Sequence, residues 1–236
     1  MRNSAGHPGA DVRRALSNRV KIIIDFDDVL FNTRDFRNDL RDIFLRSDIT
    51  KQVFEKCYYG AAKINRRNLE KYDADKHIRA IEKHLGTKLP VVRRKIKRLL
   101  KNCGCYVFSD AIKFLKHFRN KKIRIYLVSY TNTAFQQEKI ACSGLGKYFK
   151  KVILTRGLKS EGINRLLRAK KIKRSELIYF LDDRAEQIKD VKKKHPYIKT
   201  IFVQRSEGRY RDKINKYCDF RIKNFEEAYP IIKHKD

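Results

Sequence analysis

The sequence predicts an α/β fold: a parallel sheet with helices on both faces, plus an all-helical segment inserted after the first strand. Short β-branched runs that are apolar on both faces recur along the chain, as central parallel strands require. Over residues 106–236 these runs alternate with segments of helical spacing. Between Arg34 and about Gly104 the spacing is helical throughout, with no convincing strand.

Residues 1–18 mix Gly, Pro, Ser, Asn and Arg without an apolar period, and are expected to be a flexible basic extension. Order is expected from about Arg19, and VKIIIDF (Val20 to Phe26) reads as the first strand. In the insert, Phe36, Leu40, Ile43 and Phe44 fall at helical spacing. So do Ile78, Ile81 and Leu85, and then Val92, Ile96, Leu99 and Leu100, with Gly86 and Pro90 as punctuation. Later strands are expected at Ile123 to Val128, Lys151 to Leu154, Leu177 to Leu181 and Thr200 to Val203. The division that follows is an extension over 1–18, a Rossmann-like core made of 19–33 and 105–236, and a helical insert over 34–104.

The 236 residues are 42% hydrophobic, enough for a sizeable core, and Gly and Pro are too sparse for a collagenous or low-complexity chain. Five Cys, an odd number without a secretory signal, favour reduced thiols and a cytoplasmic location over a disulfide scaffold. The most apolar N-terminal run carries three Asp within Val20 to Leu30, so no membrane partner is expected. The net charge of +31 points to phosphate-bearing partners, nucleic acid among them. A lysine-rich source composition would give the same excess without such a partner.

In open parallel sheets, ligands bind beyond the carboxyl ends of the strands. There the first strand supplies Asp25, Asp27 and Asp28, the second supplies Ser129, Tyr130, Thr131 and Asn132, and the fourth supplies Asp182 and Asp183. Carboxylates massed at one sheet edge repel unless a cation neutralises them, and hard oxygen ligands suit Mg²⁺. Lys159, in the polar stretch after the third strand, can supply positive charge to a transferring phosphoryl group.

In order and strand context these segments resemble the haloacid dehalogenase (HAD) superfamily. IIIDFDDVL at 22–30 is similar to its first motif, an apolar strand followed by Asp-x-Asp-x-Thr/Val, and IYLVS at 125–129 to its second. Lys159 is the best match to the basic third motif, and LIYFLDD at 177–183 matches the fourth. FQQEKIACSGLGKYFKKVILT at 135–155 and FSDAIKFLKHFRNKKIRIYLVS at 108–129 also resemble the family, so the likeness covers about residues 20–225. The insert matches in position and character, as a cap domain.

The resemblance implies a role for each residue. Asp25 would attack phosphorus to give an aspartyl-phosphate, and Asp27 would act as general acid and base. Asp25, the backbone carbonyl of Asp27, and Asp182 would hold Mg²⁺, with Asp183 contributing directly or through water. Ser129 and Lys159 would bind phosphoryl oxygens. Two positions depart from the commonest pattern: Asp28 stands where Gly is usual and Val29 where Thr is frequent. Asp27 itself is present, whereas relatives that cleave carbon–halogen or carbon–phosphorus bonds lack an acid there. The implied reaction is therefore hydrolysis of a small phosphorylated metabolite, such as a nucleotide or sugar phosphate. A terminal phosphatase acting on a polynucleotide, and an idle nucleic-acid-binding or assembly protein on the same fold, are the alternatives.

Other signals are weaker. Gly157-Leu158-Lys159-Ser160 lacks the spacing of a P-loop, and Cys103-Gly104-Cys105 lacks the second ligand pair of a zinc site. The six His form no metal or catalytic set and are expected at the surface. VVRRKIKRLLK (91–101) puts apolar residues on one helical face and basic ones on the rest. If that helix faces the catalytic cleft, polyphosphorylated or nucleic-acid-terminal substrates are expected.

Overall fold

A computed structural model describes residues 20–61, 63–64, 70–131 and 133–232; the expected extension over 1–18, and Asn132, lie outside the described residues. The first strand, β1 (Val20–Ile24), is buried along its whole length. After it come helices α1 (Thr33–Leu45) and α2 (Lys51–Ala61), a short antiparallel pair, β2 (Lys63–Ile64) with β3 (Glu70–Lys71), then α3 (Ala74–Leu85) and α4 (Pro90–Lys101). The remainder alternates: α5 (Ser109–Asn120), β4 (Arg124–Tyr130), α6 (Ala134–Cys142), β5 (Phe149–Thr155), α7 (Lys159–Arg168), β6 (Leu177–Asp182), α8 (Ala185–Lys194), β7 (Lys199–Val203) and β8 (Phe220–Ile222).

The sheet runs β5-β4-β1-β6-β7-β8, and every neighbouring pair is parallel. Strand residues alternate between two apolar clusters, as the two-residue period of a strand demands. Ile22, Ile24, Ile125, Leu127 and Leu181 pack on one face with Phe114, Leu115 and Phe118 of α5. On the other face Ile23, Tyr126, Val128 and Phe180 meet Ile163 and Leu166 of α7 and Ile188 and Val191 of α8. Helices therefore cover both faces. β8 had no counterpart among the strands expected from sequence, because three residues with only Ile222 buried leave no apolar run to detect.

The helical segment leaves and re-enters the core through one stem. Asn32 N–H donates to the Tyr106 carbonyl (2.7 Å) and Phe108 N–H to the Leu30 carbonyl (3.0 Å), tying the outgoing and returning strands side by side. Local signals set the insert's helices. The Asn32 and Asp73 side chains cap α1 and α3, Gly86 ends α3 in the left-handed region, and Pro90 opens α4. Thr33, Phe36, Leu40 and Phe44 of α1 are buried at helical spacing. The two-residue β2–β3 pair is the one departure from helix in this segment among the described residues.

Candidate active site

β1, β4 and β6 are neighbours, and their carboxyl ends deliver the predicted groups to one rim. Ile24 stands opposite Leu181 and Leu127, and Asp25 N–H donates to the Leu181 carbonyl (3.0 Å), so Asp25 is level with Asp182. Lys159 comes from the first turn of α7. That helix lies close on the sheet because Gly162 faces Val128 and Thr155; a Cβ there would sit 2.6 Å from Val128 Cγ1.

Lys159 Nζ is 2.7 Å from Asp25 Oδ2 and 2.5 Å from Asp182 Oδ2. Asp25, Asp182 and Asp183 can bring one carboxylate oxygen each within 4.8 Å of one another, all three being buried. Asp25 Oδ1 is buried without a hydrogen-bond partner. Burial, opposed by Lys159 but reinforced by Asp182 and Asp27, pushes the Asp25 carboxyl up to about 7. Burial also raises Asp182, against the pull of Lys159. Asp183 goes well above the ordinary range through burial and the neighbouring acids Asp28, Asp182 and Asp25. For Lys159, burial works against the ammonium, yet Asp182, Asp25 and Asp183 hold its affinity for the proton above the ordinary value. Three acids share one cation, and an oxygen of the first is unpartnered. This donor set fits a hard divalent ion such as Mg²⁺.

Asp27 is turned the other way. Its Oδ1 takes hydrogen bonds from Thr33 Oγ1 (2.7 Å) and Lys139 Nζ (2.5 Å), and Oδ2 takes one from Gln136 Nε2 (2.7 Å). Burial alone would raise its affinity for a proton, but Lys139, Arg209 and these hydrogen bonds hold it well below the usual carboxylate range. The Asp27 carboxylate is thus outside the three-acid cluster, and only its backbone carbonyl remains for the metal role implied earlier. Lys139 is itself buried, its ammonium 5.2 to 5.6 Å from the ring centres of Phe31, Phe26 and Phe36.

Asp28 adopts φ +56°, the left-handed region in which Gly is favoured and Asp tolerated. Its Oδ2 accepts from Arg209 Nε (2.7 Å), so an acid where Gly is usual anchors the segment between β7 and β8. Tyr210 follows, with the Arg184 guanidinium 3.8 Å over its ring, and Arg184 pairs with Asp212 at 3.1 Å.

The rim opens into a cavity of about 500 Å³ between core and insert, lined by Asp25, Asp27, Ser129, Lys159 and Asp183 at one end. Asp182 lies behind them, fully buried. Ser129 Oγ stands 3.4 Å from Gln136 Nε2. Sequence reasoning missed Lys139, Gln136, Arg209, Arg184 and Gln187, which also line the cavity. A signal existed for the first two, since Gln136 and Lys139 share a helix face three residues apart. Arg209 is 181 residues from its partner Asp28, beyond any local pattern.

Three other expectations meet the structure here. No residue of α4 lines the cavity, so the condition that linked its basic face to substrate choice is not met. Arg93 of that helix is paired with Glu82 and Asp75, both at 2.8 Å. Among the histidines, His77 and His195 are buried rather than at the surface. No helix among the described residues is long and apolar enough to cross a membrane, and the five cysteines are free.

Residues 22–195 match the family model of the haloacid dehalogenase-like hydrolases. The chain belongs to that family. Solved structures of the same fold include a chain from Burkholderia xenovorans assigned as a haloacid dehalogenase-like hydrolase, with TM-score 0.68, 15% identity and coverage of 93% of this chain and 100% of that one. The HAD-hydrolase YfnB of Bacillus subtilis, bound to magnesium, gives TM-score 0.60 at 16% identity, covering 92% and 99%. A predicted phosphoglycolate phosphatase of Haemophilus somnus gives 0.58 at 13%, also covering 92% and 99%. Dehalogenases share the fold as well, one at TM-score 0.60 and 12% identity, covering 93% and 99%. Comparison with curated protein sequences gave no match. As a HAD-like hydrolase the chain carries the family's sheet and, at its rim, a buried aspartate cluster.

Proposed function

We propose that this HAD-like hydrolase is a Mg²⁺-dependent phosphatase of a small phosphorylated metabolite, working through an aspartyl-phosphate on Asp25. The observation that carries the reading is the second acid. Asp27 stands two residues from the nucleophile position, lines the same cavity and is paired with Lys139. Phosphoester cleavage needs an acid and base at that point, and carbon–halogen cleavage does not.

Asp25 attacks phosphorus as the bond to the leaving oxygen breaks, and Asp27 delivers the proton that this oxygen needs. Lys139, hydrogen-bonded to Asp27, stabilises the carboxylate that this transfer leaves. Asp27 then removes a proton from the water that attacks the aspartyl-phosphate, releasing inorganic phosphate and restoring Asp25. Lys159, Ser129 and the unpartnered Gln187 Nε2 offer hydrogen bonds to phosphoryl oxygens. Asp25, Asp182, Asp183 and the Asp27 carbonyl would hold Mg²⁺, which when bound neutralises the carboxylates and polarises the phosphoryl group.

The deciding assay is hydrolysis of an aryl phosphate with and without Mg²⁺, together with acid-quench trapping of labelled phosphate on the protein. Turnover that requires Mg²⁺ and a label lost in Asp25→Asn support the reading. Release of halide from a 2-haloacid with no phosphate release would overturn it.

A further inference from the structure

A fourth acid borders the aspartate cluster. Asp28 follows directly on the Asp27 carbonyl that would ligate the ion, and like Asp182 it is buried behind the lining of the cavity rather than in it. After burial itself, Asp28 does more than Asp182 or Asp25 to push the Asp183 carboxyl up, so its charge stands close to that acid.

The turn that carries Asp28 is fixed on several sides. Asp28 N–H donates to the Phe31 carbonyl at 2.9 Å and to Thr33 Oγ1 at 3.3 Å, closing the loop in which its φ is +56°. Its Oδ2 accepts from Arg209 Nε at 2.7 Å. The next residue is pinned as well: the Val29 carbonyl accepts from Arg205 Nε at 2.9 Å, and Arg205 pairs with both oxygens of Asp110 at 2.9 and 3.0 Å. Two arginines of the segment between β7 and β8 therefore clamp this turn, and one atom is left over. Asp28 Oδ1 and Asp25 Oδ1 are the two carboxylate oxygens buried without a hydrogen-bond partner among the described residues.

A buried acceptor is normally satisfied, so an exception calls for a specific cause. Backbone geometry does not supply it, because Gly adopts this φ at no steric cost. Anchoring Arg209 does not supply it either, because Asn tolerates the left-handed region and its amide oxygen could accept from Arg209 without a buried charge. What Asp adds over both is a second, negatively charged oxygen, and that oxygen is the unpartnered one. Mg²⁺ sheds its waters reluctantly and keeps several when bound, each with protons to donate. A rigid acceptor just outside the ligands is what orients such a water.

We infer that Asp28 is a fourth acid of the divalent-ion site, its Oδ1 accepting a hydrogen bond from a water that the ion carries, while Arg209 and the contacts to Phe31 and Thr33 hold it in place. This rests on the ion site of the proposed phosphatase and goes beyond it, since the ligands implied by the family resemblance do not include Asp28.

Ion binding is measured without substrate. Mg²⁺ is titrated calorimetrically into the native protein and into Asp28→Gly, Asp28→Asn and Arg209→Gln, with thermal melts in the absence of ion to establish that each variant is folded. Asp28→Gly suits the left-handed turn and is expected to weaken the Kd for Mg²⁺ by about tenfold or more. Asp28→Asn should weaken it at least as much, because the amide oxygen turns to the Arg209 donor and leaves an NH₂ facing the water. Arg209→Gln keeps the acid and removes a nearby cation, so it should bind Mg²⁺ at least as tightly as the native protein. A crystal structure of the native protein with Mg²⁺ should show one water within hydrogen-bond distance of both Asp28 Oδ1 and the ion. Native Kd values in both Asp28 variants, equal weakening in Asp28→Gly and Arg209→Gln, or an ion without a water at Oδ1 would each overturn the inference and leave the phosphatase reading standing. If the native protein binds neither Mg²⁺ nor Mn²⁺, the ion site itself fails and the inference is overturned with it.

Discussion

Asp25 and Asp27 leave one strand two residues apart and line one cavity, yet their surroundings are opposite. Asp25 shares a single ammonium, Lys159, with Asp182 and has Asp183 close by, and is pushed up to about 7. Asp27 has Lys139 at 2.5 Å, Arg209 nearby and two neutral donors, and is held well below the usual range. Anion excess on one side and cation excess on the other come from which helices face each carboxylate, α7 and the loop after β6 for Asp25, α6 and the β7–β8 segment for Asp27. By themselves these surroundings favour a protonated Asp25 and an ionised Asp27, so the proposed nucleophile would be readied by a divalent ion that displaces its proton. One corner is short of a cation; the other already holds one.

The comparison breaks most completely if the anionic corner is neutralised. On the proposed mechanism Asp25→Asn lowers Mg²⁺-dependent phosphate release by more than about a thousandfold, because the proposed nucleophile is lost while the cavity stays intact. Aryl phosphate assays on the folded variant check this. Asp27→Asn should cost about a hundredfold or more, the usual range for a lost general acid and base. Lys139→Met should cost about tenfold. It should also move the acid limb of the kcat profile upward in pH, since Asp27 loses the neighbour that most lowers its proton affinity. A Lys139→Met profile that coincides with the native one would show that the two corners are independent of this lysine.

How much of this contrast the sequence carried depends on distance along the chain. Asp25, Asp182, Asp183, Ser129 and Lys159 all lie at strand ends or just beyond, so apolar runs such as VKIII and LIYFL are enough to locate them. The strands themselves were legible for the same reason. Lys139 and Gln136 share a helix face, but that spacing alone does not single them out, because a lysine on a helix reads as solvated; here the Phe26, Phe31 and Phe36 rings and Asp27, more than a hundred residues upstream, take it out of water. Arg209 and Tyr210 follow β7 in a stretch without period, and only the sheet order brings them to Asp28 and Arg184.

The smallest expected effect sharpens the anionic corner alone. Asp25 has an ordinary carboxyl value of 3.8 and a folded value of about 7, so between these the folded chain keeps a proton that the unfolded chain has released. Protons bound in the folded state exceed those in the unfolded state across this window, and stability contributed by this group falls as pH rises from about 4 to about 7. Above about 7 the carboxylate is buried and charged, and a divalent ion relieves it. Mg²⁺ binding must therefore displace the Asp25 proton below about 7 and need not above it. Affinity should rise about tenfold between pH 6 and pH 8, and the thermal stabilisation given by a fixed Mg²⁺ concentration should grow over the same interval. Asp183, also raised, releases protons to the ion as well, so the Asp25 share is isolated by subtraction. Calorimetry at pH 6 in two buffers of different ionisation enthalpy should show more protons released per Mg²⁺ by the native protein than by Asp25→Asn. Equal release from the two would mean that Asp25 is already ionised in the folded protein, and that Lys159 outweighs burial at this carboxylate.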